Sequence, residues 1–213
     1  MKLEKLKGKF ITFEGGEGGG KTTQSKLLVD FLIDNSIEAI WTREPGGCPE
    51  AEEIRNFIVN GKSNKFDDIT ELLLLYASRY VHTEKKIKPA LEKGNVVVSD
   101  RYFDSTLAYQ GFGGSVDKNM VEKVREAILG NFKPDLTLIF DIDVETGLKR
   151  AFKRGETNRF EEKTLEYHKR VREGFIEIAK NNPDRCVLID VNDLEVPAVE
   201  IKVREIIKDF FNL

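Results

Sequence analysis

The stretch "KFITFEGGEGGGKTTQ" (residues 9–24) decides the fold of this 213-residue chain. It begins with an apolar run that predicts a buried β-strand, passes through five glycines in six positions, and leads into the helical pattern "KTTQSKLLVDFLIDN" (21–35). Its spacing, Gly15-x4-Gly20-Lys21-Thr22, matches the phosphate-binding motif G-x-x-x-x-G-K-[ST]. A strand before this motif and a helix after it are the context that the motif requires, so the stretch predicts a P-loop.

The residue types of this loop suit a nucleoside triphosphate and Mg²⁺. Backbone N–H groups of the glycines can surround phosphate oxygens, and the N-terminus of the following helix adds a favourable dipole. Lys21 is placed to reach the β- and γ-phosphates, and the Thr22 hydroxyl is an oxygen ligand for the metal. ATP and Mg²⁺ are therefore the expected cofactors. The predicted nucleotide-binding residues are Gly15, Gly16, Glu17, Gly18, Gly19, Gly20, Lys21, Thr22 and Thr23.

A second metal ligand is predicted at Asp100, the last residue of the apolar run "NVVVSD" (95–100). An Asp at the end of another strand completes the magnesium site in P-loop enzymes. The alternative is an Asp that caps the segment after it. The presence of the P-loop favours the metal role.

Apolar runs alternate with helical patterns along the whole chain, which predicts an α/β fold with a five-stranded parallel sheet and helices on both faces. Ligands of such sheets bind beyond the carboxyl ends of the strands. The chain is predicted to form a single domain, residues 1–213. The predicted strands are 9–14, 37–42, 95–100, 136–142 and 186–191. The predicted helices are 21–35, 49–59, 67–93, 117–129, 144–154, 162–182 and 196–211.

The composition restricts the partners and the compartment. A net charge of −3 gives no general attraction to nucleic acid or to a membrane surface. Cys48 and Cys186 lie far apart, so we expect no disulfide framework or thiolate metal site, and a reducing cytoplasm is the expected location. The N-terminal residues lack the apolar region of a signal peptide, and no apolar run reaches transmembrane length.

The arginines indicate an anionic acceptor. Arg43 and Arg101 follow the second and third predicted strands, and Arg150, Arg154 and Arg159 lie in "KRAFKRGETNRFE" (149–161). An acceptor phosphate is ionised near neutral pH, so it needs cations that offset the repulsion of the donor phosphates rather than a general base. The arginine fork suits phosphate because it donates two hydrogen bonds. A surface ion pair remains the alternative for each arginine, and a solvated helix face remains the alternative for the last three.

Taken together, these motifs resemble the thymidylate kinase family. They occur in order over nearly the whole chain as "FITFEGGEGGGKTTQ", "TREPGG", "LLLLYASR", "DRYFDSTLAYQG" and "RAFKRGETNRFE". The resemblance implies the fold of a P-loop nucleoside monophosphate kinase and the transfer of the γ-phosphoryl group of ATP to dTMP, which yields dTDP. It also implies a homodimer, and the apolar run "LLLL" (72–75) fits either a doubly buried helix or a subunit contact.

The resemblance also implies roles for residues on the acceptor side. Arg43 and Arg101 would hold the dTMP phosphate, and Glu17 would face the 3′-hydroxyl of the sugar. The residues expected at the nucleoside are Leu75, Arg79, Thr106, Tyr109 and Gln110.

Each nucleoside contact has a chemical reason. Arg79 would donate to thymine O4, where cytosine has an amino group instead. Thr106 and Gln110 would reach the N3 edge, and Tyr109 would disfavour a 2′-hydroxyl. Leu75 stands where the family usually has a Phe that stacks on thymine, which weakens the expected stacking.

These residues also have structural alternatives. Tyr109 and Gln110 could cap the turn before "GFGG". Arg79 could pair with Glu71 or Glu84 on its own helical segment.

The P-loop has no arginine at positions 16–19. The resemblance therefore implies the bacterial arrangement, in which a mobile lid, here at about residues 150–162, supplies the transition-state cations. The predicted catalytic residues are Lys21, Arg43, Arg101, Arg150, Arg154 and Arg159.

Three other functions remain open from the sequence. Another pyrimidine monophosphate kinase, for dUMP or UMP, is the nearest, although Arg79 and Tyr109 argue against it. A deoxynucleoside kinase would need a carboxylate base, for which Glu14 is a candidate. A nucleotide-dependent switch is the third, but "NKFD" (64–67) follows no apolar strand and the chain has no Asp-x-x-Gly.

Overall fold

The computed structural model describes residues 3–61, 65–153 and 160–213. Within these residues a single sheet of five parallel strands has the order β2-β3-β1-β4-β5. The strands are β1 (Phe10–Gly15), β2 (Ala39–Arg43), β3 (Val96–Asp100), β4 (Leu136–Asp141) and β5 (Cys186–Asp190). The five predicted strands and the predicted α/β fold class are thus confirmed.

Helices connect the strands and cover both faces of the sheet. A 3₁₀ turn, Leu3–Leu6, precedes β1. The helices are α1 (Lys21–Asp34), α2 (Pro49–Val59), α3 (Asp68–His82), α4 (Lys88–Glu92), α5 (Phe103–Thr106), α6 (Lys118–Leu129), α7 (Val144–Phe152), α8 (Leu165–Asn181) and α9 (Val196–Phe210). None of the described helices is both long enough and apolar enough to span a bilayer.

The predicted helix 67–93 is interrupted near its end. A π-helical turn, Thr83–Ile87, separates α3 from α4. Pro89 follows this turn, and a proline ring collides with the carbonyl four residues earlier in a regular α-helix. Helical structure resumes after the π turn as α4, which carries Pro89 in its first turn.

A second helical region was not predicted. Residues 103–113 form α5 and the π-helical segment Leu107–Gly113. The local sequence favours turns because Asp, Ser, Thr and Gly are weak helix formers. The structure instead stabilises this region from outside, since Asp104 forms a buried, bidentate ion pair with Arg185 at 2.8 Å for both oxygens.

Alternating side chains of the strands fill two opposite cores. Ile11 and Phe13 of β1 pack with α1 and α9, whereas Phe10 packs with α3. Every residue of β1 is buried. This central strand therefore carries the loop that follows it on the most rigid part of the sheet.

The P-loop lies directly against the first turn of α7. Gly18 has a left-handed backbone (φ +69°), and a Cβ built on it would lie 2.0 Å from the carbonyl oxygen of Gly147. A Cβ on Gly147 would in turn lie 2.3 Å from the carbonyl oxygen of Glu17. Both partners are backbone atoms, so neither can move without displacing its segment.

We expect Gly147→Ala to destabilise the protein. Alanine gains about 1 kcal/mol of helix propensity over glycine, but the backbone clash should outweigh it and lower the free energy of unfolding by about 1–3 kcal/mol. Chemical denaturation measures this difference. Gly16→Ala is the control, because a Cβ on Gly16 would have no heavy atom of another segment within 4 Å and the residue has no left-handed φ. Equal stability of the two variants would contradict the clash.

Candidate active site

A cavity of about 520 Å³ opens at the carboxyl ends of β1, β2 and β3. Its walls come from the P-loop, the segment after β2, α3, the region 101–110 and the end of α7. Predicted site residues gather here, as the topology of the sheet requires. Those that line the cavity are Glu17, Gly18, Gly20, Lys21, Thr22, Thr23, Arg43, Leu75, Arg79, Asp100, Arg101, Thr106, Tyr109, Gln110 and Arg150.

The P-loop changes direction at Gly20, and α1 begins at Lys21. Gly20 is left-handed (φ 87°), a conformation that glycine adopts without a steric penalty. The buried Lys21 Nζ donates to the Gly16 carbonyl at 2.5 Å. Burial, together with the charge of Arg101, lowers the pKa of Lys21 to about 8.

Thr22 and Asp100 meet across the cavity floor. The Thr22 hydroxyl donates a hydrogen bond to the Asp100 carboxylate. β3 pairs with β1 in the register Phe13↔Asp100, which places the end of β3 beside the start of the P-loop. A hydroxyl and a carboxylate are ligands that suit Mg²⁺, which usually keeps further positions for phosphate oxygens and water. No cluster of three or more His, Cys, Asp or Glu side chains suited to a metal occurs among residues 3–61, 65–153 and 160–213.

The Arg101 side chain forms several hydrogen bonds at the cavity. Its Nη1 donates to the Gly15 carbonyl at 3.1 Å and to the Ser105 hydroxyl at 3.0 Å. Its Nη2 donates to Glu17 Oε1 and to the Tyr109 hydroxyl, both at 3.0 Å. Arg101 also has a left-handed backbone, with φ 71°.

Glu17 is a firmly ionised carboxylate. Burial raises its pKa, but the charges of Arg101 and Lys21 and a hydrogen bond from Tyr109 lower the pKa more, to about 2. The Tyr109 hydroxyl donates to Glu17 Oε1 at 2.7 Å. The Glu17 carboxylate in the P-loop is therefore stabilised by Arg101, Lys21 and Tyr109.

Two arginines lie on the wall formed after β2. Arg43 donates to the Glu52 carboxylate at 3.2–3.4 Å, and both side chains are partly exposed. Arg55 also lines the cavity and donates to the Pro45 carbonyl at 2.8 Å. The ion-pair alternative for Arg43 is thus realised, but at a solvated position where such a pair is worth little and can exchange partners.

Arg79 is held by a buried network. Its Nε donates to Glu44 Oε2 at 2.7 Å, and the other Glu44 oxygen lies 3.0 Å from His82 Nδ1. Its Nη1 donates to the Thr106 hydroxyl at 3.0 Å and its Nη2 to the Tyr102 carbonyl at 3.2 Å.

The sequence suggested the wrong alternative partners for Arg79. Glu71 instead accepts from Gln110, and Glu84 pairs with Lys88. Arg79 bonds to Glu44 because this glutamate follows β2 and meets α3 from a neighbouring segment of the fold.

Gln110 and Leu75 complete this end of the cavity. Gln110 Nε2 donates to Glu71 at 3.2 Å, while the buried Gln110 Oε1 has no hydrogen-bond partner among the described residues. Leu75 is buried on α3 and contributes an apolar wall. The side chains of Tyr109 and Gln110 do not cap the turn, because they donate to Glu17 and Glu71 instead.

The predicted lid is only partly described. Arg150, at the end of α7, lines the cavity and donates to the Asn192 carbonyl at 3.3 Å. Arg154 and Arg159 lie outside the described residues.

Comparison with known proteins agrees with this geometry. A family model described as "Thymidylate kinase" matches residues 13–202. The chain belongs to the thymidylate kinase family.

Relatives within the family align over almost their full length. The thymidylate kinase of Caulobacter vibrioides is 48% identical over 200 residues, which are 94% of this chain and 96% of the relative. That of Marinomonas sp. is 41% identical over 200 residues, which are 94% of each chain. The crystal structure of thymidylate kinase from Ehrlichia chaffeensis superimposes with a TM-score of 0.76 at 36% identity, covering 94% of this chain and 98% of that one. The family that the sequence motifs predicted is thus confirmed.

Several residues in and beneath the cavity were not identified from the sequence. Arg55 lies on a helix with no evident motif, and Glu44 lies within "TREPGG", where the sequence suggested no role for it. The sequence suggested Glu14 only as a base, and it suggested no role for Ser105. The sequence contained indications for two of these residues. Glu14 is a charged residue at the end of an apolar strand, and Ser105 lies inside the most specific family motif.

Glu14 is buried beneath the site and does not line the cavity. Its Oε1 accepts from the backbone N–H groups of Tyr102 at 2.7 Å and Ser105 at 3.3 Å. Burial and the nearby Asp104 raise the pKa of Glu14 to about 8, and the hydrogen bond from Ser105 counters only part of this effect.

The raised pKa of Glu14 predicts a pH dependence of stability. Between about pH 4.5 and pH 8 the folded state holds a proton on Glu14 that the unfolded state has released. The free energy of unfolding should therefore fall as the pH rises through this range. Glu14→Gln cannot titrate, so its stability should fall less with pH. Urea denaturation of both proteins at several pH values measures the difference, and parallel curves would contradict the assignment.

Proposed function

We propose that this protein transfers the γ-phosphoryl group of ATP to dTMP, yielding dTDP and ADP. The observation that carries the proposal is the single cavity shared by a P-loop and by the base-reading group formed by Arg79, Thr106 and Gln110. The family relationship supports the same reaction, since the relatives named above are thymidylate kinases.

The donor side is formed by the P-loop. We infer that its glycine N–H groups and Lys21 bind the ATP phosphates, and that Thr22 and Asp100 hold Mg²⁺. When bound there, Mg²⁺ would offset the negative charge of the ATP phosphates. The contact of Arg150 with the segment after β5 supports a role for Arg150 on this side.

The base-reading group presents a pattern that matches thymine. Both Nη atoms of Arg79 keep one hydrogen beyond their bonds to Thr106 and Tyr102, so they can donate to thymine O4. Gln110 Oε1 is an acceptor without a partner among the described residues and can accept a hydrogen bond from the N3–H group of thymine. Glu71 fixes this orientation, because its carboxylate accepts from the amide nitrogen of Gln110. Cytosine has the opposite pattern at both positions and would leave buried donors and acceptors unpaired.

The sugar and phosphate of dTMP fall between this group and the P-loop. We infer that Tyr109 packs beside the deoxyribose and that Glu17 faces the 3′-hydroxyl. Arg43, Arg55 and Arg101 supply positive charge for the acceptor phosphate. Because both terminal nitrogens of Arg101 already make two bonds each, phosphate must bind through Nε or replace one of these partners.

The alternative of a deoxynucleoside kinase is disfavoured by Glu14. A general base must reach the hydroxyl that it deprotonates. Glu14 has no exposed surface, and its oxygens are bonded to Tyr102 and Ser105. The arginines of the cavity suit an acceptor that already carries a phosphate.

We also propose a homodimer, through the exposed face of α3. Ile69, Leu73 and Tyr80 recur along one side of this helix and are about half exposed, and Phe57 of α2 is exposed nearby in the chain. Leu72 and Leu75 point inward, so "LLLL" is apolar on both sides of the helix. The cytoplasm is the proposed compartment, since Cys48 and Cys186 are free thiols.

One assay tests the proposed reaction. The enzyme is given ATP and Mg²⁺ with dTMP, dUMP, dCMP, UMP or AMP in turn. dTMP should have the highest kcat/KM, and dCMP should be lower by roughly 100-fold or more, because it leaves buried hydrogen-bonding groups unpaired. A higher kcat/KM for any other acceptor would overturn the substrate assignment.

A second experiment tests the proposed lid. Arg154→Ala or Arg159→Ala should lower kcat more than it raises KM for either substrate, because a transition-state cation contributes mainly at the chemical step. Lys169→Ala is the control, since Lys169 pairs with Glu166 on the exposed surface of α8. Unchanged kcat in both arginine variants would refute the lid proposal.

A further inference from the structure

We propose that Glu14 and Ser105 are positioning residues for Arg101: the buried Glu14 carboxyl group holds the turn after β3 and the Ser105 hydroxyl, and this hydroxyl holds one edge of the Arg101 guanidinium. The inference rests on the proposed function, in which Arg101 contributes to binding the acceptor phosphate. Neither residue needs to touch the substrate.

The backbone of the turn needs support. A non-glycine residue with a left-handed backbone, such as Arg101 at φ 71°, is strained by an amount on the order of 1 kcal/mol and persists only when its surroundings enforce it. Glu14 Oε1 accepts the N–H of Tyr102 at 2.7 Å, immediately after the strained residue. The Ser99 hydroxyl donates to the Arg101 carbonyl at 2.7 Å. These two bonds hold the peptide unit after Arg101, and on the other side the Arg101 N–H donates to the Phe13 carbonyl at 2.9 Å.

The side chain of Arg101 is held by the same group. Ser105 Oγ lies 2.5 Å from Glu14 Oε2 and accepts from Arg101 Nη1 at 3.0 Å. The second Nη1 bond goes to the Gly15 carbonyl. Because a guanidinium is planar, fixing the Nη1 edge also fixes the direction of Nη2 and Nε.

The location of Glu14 explains how it can position Arg101 without contacting a ligand. It lies near the end of the fully buried strand β1, which pairs with β3 and β4 on either side. A group anchored there moves little, so it is a fixed reference for the loop that carries Arg101. By contrast, Arg43 on the exposed wall of the cavity pairs with Glu52, which is itself partly exposed.

Ser105→Ala is the first test. It removes the contact with Arg101 but keeps both N–H bonds to Glu14. We expect the Kd for dTMP, measured by calorimetry, to rise about tenfold. The inhibition constant of thymidine, which lacks the phosphate, should change less than twofold, and so should KM for ATP.

Two substitutions of Glu14, one conservative and one apolar, form the second test. Glu14→Gln keeps an acceptor oxygen for the two N–H groups and an amide that can bond Ser105, so it should retain dTMP affinity within about threefold. Glu14→Leu has a similar size and no polar group, and should weaken dTMP binding at least as much as Ser105→Ala. Thr12→Val is the matched control, because Thr12 is buried on the same strand and bonds Thr137 rather than the Arg101 group.

The outcomes separate the two proposals. If the wild-type enzyme does not phosphorylate dTMP, the proposed function fails. If it does, and Ser105→Ala weakens thymidine as much as dTMP or leaves dTMP affinity unchanged, the positioning role fails. The role also fails if Thr12→Val weakens dTMP binding as much as Ser105→Ala does. Should Glu14→Leu not fold, the comparison of dTMP with thymidine in Ser105→Ala still decides the question.

Discussion

The short parallel pairing of β1 with β3 is the constraint on which the rest of the site depends. It brings Phe13 opposite Asp100, so the P-loop and the segment after β3 leave the sheet side by side. Thr22 can then meet Asp100, and Arg101 can meet Glu17, although the last two are separated by 84 residues in sequence. Donor and acceptor chemistry therefore share one edge of the sheet without any long loop.

Charge is balanced locally around this edge. Glu17 is neutralised by Arg101, and Arg79 by Glu44, so the cavity combines buried positive groups with fixed counter-ions. A buried charge is tolerated in a protein only when it is paired in this way. The arrangement leaves the more exposed Arg43 able to respond to an incoming anion, while the fully buried pair of Arg79 and Glu44 serves as a scaffold.

The sequence predicted the parts of the molecule that depend on local pattern. Five strands and most helices followed from the alternation of apolar runs, and the P-loop followed from a motif with a direct physical meaning. The region 103–113 was missed because its helix is stabilised by Asp104, whose partner Arg185 is 81 residues away. The partner of Arg79 was missed for the same reason, since Glu44 lies 35 residues earlier and only the fold brings the two together. The roles implied by the family resemblance pointed to residues that line one cavity, but not to Glu14 and Ser105, which in our proposal act through Arg101 rather than on a ligand.

The carboxylate of Glu44 is shared by Arg79 and His82, and it follows Arg43 directly in the chain. In the proposed function, recognition of the base and recognition of the phosphate thereby depend on one short segment. A change of Arg79 intended to admit a different base would leave Glu44 without its main partner and disturb the neighbouring residue that serves the phosphate. Leu75 is a better starting point for redesign toward modified nucleotides, because its side chain is apolar and forms no hydrogen bond with Glu44, Arg79 or His82. Nucleotide analogues with a bulkier base should be accommodated there when Leu75 is replaced by a smaller apolar side chain.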